Sequence, residues 1–113
     1  MADFAQAEFA LSARQEDGAS LRDHLLSAYD QTGVLDPQIA EAPPLPPATG
    51  YLWAHWRSLD GERHYTDHGL PQRLRSLDIG AWAALRRVRL DPWELDAILA
   101  LERAFFASIK PKK

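Results

Sequence analysis

Residues 88–110 read VRLDPWELDAILALERAFFASIK, and this stretch decides the predicted fold. Its first third is crowded with helix-start signals. Asp91 suits the N-cap, Pro92 suits the first helical position, and Glu94 lies three residues after the cap, where a capping box requires it. The stretch therefore predicts a helix over residues 91–109 that follows a tight turn.

The apolar face of this predicted helix contains an acid, Glu102. With about 100° of rotation per residue, Glu102 falls within one arc of apolar side chains. That arc consists of Leu95, Ile98, Leu99, Phe105, Phe106 and Ile109. Either the arc is wide and Glu102 lies at its edge, or Glu102 is buried and paired, because an unpaired buried carboxylate is too costly. For the paired case the sequence favours Arg57 as the partner and leaves open Arg73, Arg75, His55 or a tryptophan indole N–H.

Elsewhere in the chain, apolar residues recur at helical spacing and nowhere alternate long enough to indicate a strand. Two further helices, over residues 49–61 and 76–88, are predicted to pack beside the last one. Two acidic N-terminal helices are predicted over residues 2–16 and 21–33, with a short helical turn over residues 37–41. Ser20 is the expected N-cap of the second helix, with Asp23 in the capping-box position.

The same spacing predicts which side chains these helices bury. Ser76 is the expected cap of the helix over residues 76–88. Ile79, Trp82 and Leu85 are its expected buried face, with Leu77 and Val88 near the ends of that face. The expected apolar face of the helix over residues 49–61 consists of Leu52, Trp53, Trp56 and Leu59.

The segment APPLPPATG, residues 42–50, interrupts the helical pattern with four prolines. Proline removes backbone donors and favours an extended path, so this segment is predicted to be a linker. The sequence thus predicts an all-α fold, a small bundle of four to five helices with a proline-rich linker. Its predicted domains are acidic N-terminal helices (1–41), the linker (42–50) and a Trp-rich C-terminal helical core (51–113).

Composition narrows the classes of protein to which the chain can belong. Its 113 residues include no cysteine, which excludes disulfides and thiol catalysis. No apolar run approaches the roughly 20 residues of a membrane span, and the N-terminus lacks the basic start of a secretory signal. The absence of cysteine also fits a reducing compartment.

Charge is distributed unevenly along the chain. Residues 1–50 carry two basic and eight acidic side chains, whereas residues 51–113 carry eleven basic and eight acidic ones. Arginines 73, 75, 86, 87 and 89 raise the alternative of a small helical DNA-binding regulator. Glu94 and Asp96 at the start of its would-be recognition helix would repel phosphate, which disfavours that alternative.

Catalytic and metal-binding patterns are weak. His64 and His68 have the i, i+4 spacing of zinc ligands on a helix, but they lie in a predicted loop, so their role stays open. Ser58 and Thr66 lack a nucleophile-elbow context, and no glycine-rich phosphate loop occurs. We expect no enzymatic activity, no catalytic residue, no cofactor and no metal.

Large apolar side chains provide the candidates for contacts with a protein partner, because aromatic residues are enriched at interface centres. These candidates are Phe4, Phe9, Leu11, Trp53, Trp56, Trp93, Phe105 and Phe106. Phe4, Phe9 and Leu11 would let the first helix occupy a groove in its own chain or in a neighbour's. Occupation of a neighbour's groove would give a homo-oligomer.

The C-terminal half resembles a family of small tail proteins of tailed phages and prophages that are described as tail assembly chaperones. The pattern LW..WRSL..ER is followed by a helix of the form D-I-x-A-W, a short turn, P-W-E, and a closing helix with an acid before an aromatic pair. The matching positions are Asp78, Ile79, Ala81, Trp82, Pro92, Trp93, Glu94, Glu102, Phe105 and Phe106. The resemblance covers about residues 21–108.

The resemblance implies a non-enzymatic protein-binding factor in phage or prophage tail assembly. Such a protein binds the tape-measure protein and recruits tail-tube subunits in the host cytoplasm. A structural virion component, such as a connector or tail-terminator piece, is the main alternative, and binding to nucleic acid or membrane is not expected.

Overall fold

The computed structural model describes residues 1–13 and 18–109. These residues form six helices and no strand, which confirms the all-α fold. The helices are α1 (Ala2–Ser12), α2 (Leu21–Thr32), α3 (Pro37–Ala40), α4 (Gly50–Asp60), α5 (Ser76–Arg86) and α6 (Pro92–Ser108). Their number exceeds the predicted four to five because the short turn after α2 forms a helix of its own. The predicted end of the first helix, Glu16, lies outside the described residues.

The chain divides into two compact units. Among the described residues, unit 1 contains 1–13, 18–46 and 104–109, and unit 2 contains 47–103. The boundary between Pro46 and Pro47 falls inside the proline-rich segment. The domain limits predicted from the sequence concern independent folding and remain a prediction.

Unit 1 is built around α1. Ala5, Phe9 and Leu11 of α1 are buried, and the rings of Phe9 and Phe105 meet edge to face with their centroids 5.6 Å apart. The predicted capping box of α2 is confirmed, since Ser20 Oγ accepts from Asp23 N and Asp23 Oδ2 accepts from Ser20 N. Unit 1 is thus a small cluster with one buried apolar seam.

Unit 2 has a denser core. Trp56 is only 2% exposed, and the other fully buried apolar side chains come from all three of its helices. They are Leu52 and Leu59 of α4, Ile79, Trp82 and Ala83 of α5, and Ile98 and Leu101 of α6. Full burial of one large aliphatic or aromatic side chain stabilises a fold by roughly 1.5–3 kcal/mol. This core fixes the relative positions of α4, α5 and the first three turns of α6.

The predicted buried face of α5 is wrong at Leu85, which is 86% exposed, and at its predicted end Leu77, which is 73% exposed. Ile79, Trp82 and Ala83 lie at i, i+3 and i+4 and define the face that is buried. Leu85 is rotated by about 60° beyond Trp82, which places it outside that face.

The predicted face of α6 is also displaced. Its buried residues are Glu94, Ile98, Leu101 and Glu102, whereas Leu95 and Leu99 are half-buried and Ile109 is 43% exposed. The displacement has a simple cause. Glu94 and Glu102 both accept hydrogen bonds that compensate for their burial. The buried arc therefore includes the two glutamates, and Leu95 and Leu99 lie towards its edge.

The limits of α5 differ slightly from the prediction. The predicted cap, Ser76, is wrong, because Ser76 is the first helical residue and Arg75 is the N-cap, whose N–H donates to Asp78 Oδ2 at 2.8 Å. The helix ends at Arg86 instead of Val88, since Arg87 adopts the left-handed conformation with φ 55°.

Replacing Arg87 by glycine is expected to raise the free energy of unfolding by about 0.5–1 kcal/mol. Val88 N donates to Ala83 O, and Arg87 N donates to Ala84 O, in the helix-ending pattern whose left-handed position usually holds glycine. A side chain at that position is strained, and Arg87 itself is exposed. Urea unfolding measures the difference. The control, Arg89→Gly, changes an exposed arginine of negative φ and should give no gain; an equal gain there would refute the explanation.

Candidate partner-binding groove

The connection between α4 and α5, residues 61–75, contains no helix, as predicted. Its tip is a tight turn in which Thr66 N donates to Leu70 O and Gly69 takes φ 78°. An isolated antiparallel bridge pairs Tyr65 with Pro71. His64 and His68 are exposed on this loop. The loop is long and polar, so something outside it must hold it in place.

Glu102 holds it. This residue is only 2% exposed, so the buried alternative for Glu102 is the correct one. Its Oε1 accepts from Trp56 Nε1 at 3.1 Å and from Arg63 Nη2 at 2.6 Å. Its Oε2 accepts from Arg63 Nη1 at 2.7 Å and from Leu74 N at 2.8 Å. The carboxylate therefore receives four hydrogen bonds, from α4 and from both ends of the loop.

The prediction that Arg57 pairs with Glu102 is wrong, and so are the alternatives Arg73, Arg75 and His55. The charged partner is Arg63, and the alternative of a tryptophan indole donor is confirmed for Trp56. Arg57 is exposed on α4. Arg63 was missed because it follows the end of α4, outside any helical periodicity. Its position three residues after Asp60 is the one available signal, since such a pair would orient the guanidinium.

Arg63 is itself completely enclosed, with 0% of its side chain exposed. Besides its two bonds to Glu102, its Nε donates to Asp60 Oδ1 at 2.7 Å and its Nη1 donates to Gln72 O at 2.8 Å. Among the described residues, every buried side-chain nitrogen or oxygen has a hydrogen-bond partner. A fully satisfied network of this kind specifies one loop conformation.

The pKa of Glu102 reflects two opposing causes. Burial alone would raise it, but the hydrogen bonds from Arg63, from the Leu74 backbone and from Trp56 outweigh burial, so the pKa lies below its ordinary value. Burial likewise acts to lower the pKa of Arg63, and the bonds to Glu102 and Asp60 raise it. Both groups are therefore charged at neutral pH.

A lowered folded-state pKa predicts a loss of stability in acid. The unfolded chain binds the Glu102 proton near pH 4.5, the ordinary value, and the folded chain binds it only at lower pH. The contribution of Glu102 is thus complete above pH 4.5 and disappears as the pH falls through the folded-state pKa. Urea midpoints of the parent and of Glu102→Gln should differ at about pH 7, and the difference should shrink as the pH falls below 4.5. A constant difference would show that ionised Glu102 does not carry the stabilisation.

A second buried acid joins the N-terminal ends of α4 and α6. Tyr51 Oη donates to Glu94 Oε2 at 2.5 Å, and Asp91 N donates to Glu94 Oε1 at 2.8 Å. The backbone bond from Asp91 and the bond from Tyr51 lower the pKa of Glu94, while its carboxylate raises the pKa of Tyr51 to about 12. Helix α6 begins at Pro92, where the cap sequence predicts its start.

These contacts shape a groove of about 600 Å³ between α4, the loop and α5. Its lining residues are Leu59, Glu62, His64, Gln72, Arg73, Leu74, Arg75, Asp78, Ala81, Trp82 and Leu85. Trp82 is held from within by Ser58, whose Oγ accepts from Trp82 Nε1 at 3.2 Å. Leu85 stands at the edge with 86% of its surface exposed. The apolar part of the groove therefore lies along α5.

The charged residues that line the groove balance, since two are acidic (Glu62 and Asp78) and two are basic (Arg73 and Arg75). Arg86 Nη2 donates to Glu62 Oε2 at 3.0 Å, and the guanidinium of Arg86 lies 5.6 Å from the centroid of the Trp82 ring. Arg75 pairs with Asp78. Charge balance of this kind favours an apolar segment as ligand over a phosphate-rich one.

None of the partner candidates predicted from the sequence lines this groove. Phe9, Leu11 and Trp56 are buried, and Trp93 is 54% exposed. Phe4, Trp53, Phe105 and Phe106 are half-buried. Their role in partner binding remains a prediction. Leu85 was missed because it was assigned to the core; its offset from Ile79 was the signal that could have found it.

The residues that the structure describes contain no group of three or more side chains able to ligate a metal. None of their helices is long and apolar enough to cross a lipid bilayer.

A family model described as "Phage tail assembly chaperone" matches residues 28–107. The matched region includes α4, the loop, α5 and nearly all of α6, and it leaves α1 outside. No curated protein and no solved structure matches the chain. The family match thus includes every residue of the groove and of the Glu102 network.

Proposed function

The chain belongs to the phage tail assembly chaperone family, which gives it a role in phage tail assembly, and from that premise we propose that it chaperones the tape-measure protein and recruits tail-tube subunits. It does so by binding and performs no chemistry. It acts in the host cytoplasm, where tail proteins are made and assembled.

The observation that supports this proposal is the groove beside α5. Leu85 is 86% exposed and adjoins Ala81 and Trp82 in the same groove. A single exposed leucine is ordinary on a protein surface, but a leucine continuous with a concave apolar lining offers a place for an apolar side chain of a partner. An amphipathic helix of a tail protein, with apolar residues at i, i+3 or i+4, fits such a groove.

The Glu102 network contributes by keeping the groove formed in the absence of a partner. Gln72 and Leu74 line the groove, and their backbone groups are bound to Arg63 and Glu102. A preformed site avoids the free-energy cost of ordering a loop on binding. The buried charges therefore serve the position of the loop.

Co-expression with the tape-measure protein and the tail-tube subunit of the same phage or prophage tests the proposal. We expect the tape-measure protein to be insoluble alone, to become soluble with this chain and to co-purify with it, and the tube subunit to join that complex. A tape-measure protein that stays insoluble, or that is soluble without co-purifying, contradicts the proposal.

A further inference from the structure

Helix α2 carries apolar side chains that unit 1 leaves uncovered. None of its twelve residues is fully buried. Leu21 and Leu25 are half-buried, but Leu26 is 40% exposed and Tyr29 is 43% exposed. A helix of this length depends on tertiary contacts for its stability, because isolated helices shorter than about 12–15 residues are marginal in water. Its contacts within the chain use only part of its apolar face.

Exposed apolar side chains also follow the end of α2 in the sequence. Gly33 ends the helix in the left-handed conformation, with its N–H bound to Tyr29 O at 2.7 Å. Val34 and Leu35 follow with exposures of 72% and 36%. We name Leu26, Tyr29, Val34 and Leu35 the α2 surface. It consists of four large apolar side chains within ten residues of sequence.

Acidic residues flank Leu26 on α2, since Asp23 lies three residues before it and Asp30 four residues after it. Residues 18–46 contain four acids, Asp23, Asp30, Asp36 and Glu41, and one base, Arg22. That base is already paired, since Arg22 Nη2 lies 2.7 Å from Glu8 Oε1. The groove of unit 2 lacks this character, because its charges are balanced. The two surfaces therefore select different ligands.

We propose that the α2 surface is a second docking site and that its occupant is a cationic amphipathic helix of a tail protein. Lysine or arginine residues flanking an apolar stripe would complement the four acids, and complementary charge speeds association and suppresses wrong partners. A second copy of this chain is the wrong occupant, since two α2 surfaces placed face to face would bring like charges together. The identity of the occupant as a tail protein rests on the proposed function; the charge preference does not.

Fluorescence anisotropy with the full chain and three labelled synthetic peptides tests the proposal. One peptide is a helical leucine/lysine sequence with one apolar stripe, the second has the same leucines with glutamate for lysine, and the third is a scrambled leucine/lysine sequence without a stripe. We expect the first to bind at least about tenfold more tightly than either of the others. Equal binding of the glutamate peptide or of the scrambled peptide overturns the proposal.

Variants locate the binding. Leu26→Gln combined with Val34→Gln should weaken the first peptide about tenfold, because truncated contacts at an interface centre have effects of that size. Both side chains are exposed, so the fold should survive, and circular dichroism checks that it does. Leu77→Gln is the matched apolar control, since Leu77 is 73% exposed on α5. Equal losses in the double variant and the control overturn the proposal.

Two further measurements separate the remaining occupants. Asp30→Asn should weaken the cationic peptide, whereas Asp67→Asn, at an exposed acid in the loop of unit 2, should not. Light scattering should give the same molar mass for the parent and for the Leu26→Gln, Val34→Gln double variant. An oligomer that forms in the parent and is lost in this variant is not expected. Such an oligomer would mean that a second copy occupies the surface, and would overturn the proposal. Failure of tape-measure co-purification leaves these peptide results unaffected, so the two proposals can fail separately.

Discussion

Replacing Arg63 by alanine is expected to lower the free energy of unfolding by about 3–5 kcal/mol, the usual cost of removing one partner of a buried ion pair. The loss is large because Glu102 would stay in the interior with its charge uncompensated. Gln72 O would also lose its donor. Urea unfolding followed by tryptophan fluorescence measures the effect, since Trp56 donates to the same carboxylate.

The matched control for this prediction is Arg57→Ala. It removes an arginine from the same unit, but one that is exposed on α4, so the change should stay within about 0.5 kcal/mol. If the two variants unfold at the same urea concentration, the buried pair does not hold the loop. Glu102→Gln should fall between them, because the amide keeps hydrogen-bonding capacity and loses the charge.

The second large effect concerns binding. Leu85→Gln is expected to weaken the complex with the tape-measure protein at least about tenfold, because loss of an apolar contact at the centre of an interface has an effect of about this size. Stability should change by no more than about 0.5 kcal/mol, because the side chain is 86% exposed in the free chain.

Leu77→Gln provides the control for Leu85→Gln. It makes the same substitution in the same helix at a comparably exposed leucine, 73%, that does not line the groove. Isothermal titration calorimetry or biolayer interferometry compares the three chains. Equal affinities for the parent, Leu77→Gln and Leu85→Gln would show that the groove does not bind the tape-measure protein. The family membership would be unaffected by that result.

Local signals in the sequence predicted the helices well. The start of α6 follows from Asp91, Pro92 and Glu94, which act within one turn, and the capping box of α2 follows from Ser20 and Asp23 for the same reason. Signals of this range need no knowledge of the fold. The resemblance that connected these helices to tail assembly chaperones likewise depended on short motifs, and the family match confirms it.

Long-range pairing could not be read in the same way. Arg63 and Glu102 are 39 residues apart, and nothing in the periodicity of either segment links them. If Glu102 was buried, it needed a donor on energetic grounds, but the sequence could only favour Arg57 among several candidate donors. Only the three-dimensional placement of the loop selects Arg63.

Leu85 shows a different limit. A helical wheel resolves faces only to about one residue spacing, so a leucine about 60° beyond the edge of a buried arc is assigned to the core by its type. The structure places it outside, at the edge of the groove. Leu85, the residue most important for the proposed binding, was therefore assigned to the core because leucine is hydrophobic.

The most direct test of the central claim is a hydrogen–deuterium exchange footprint of the chain with and without the tape-measure protein. We expect the tape-measure protein to slow amide exchange in α5 and in the loop over residues 61–75, the two segments that supply most of the groove. Protection confined to other segments, with exchange in α5 and the loop unchanged on complex formation, would contradict the claim.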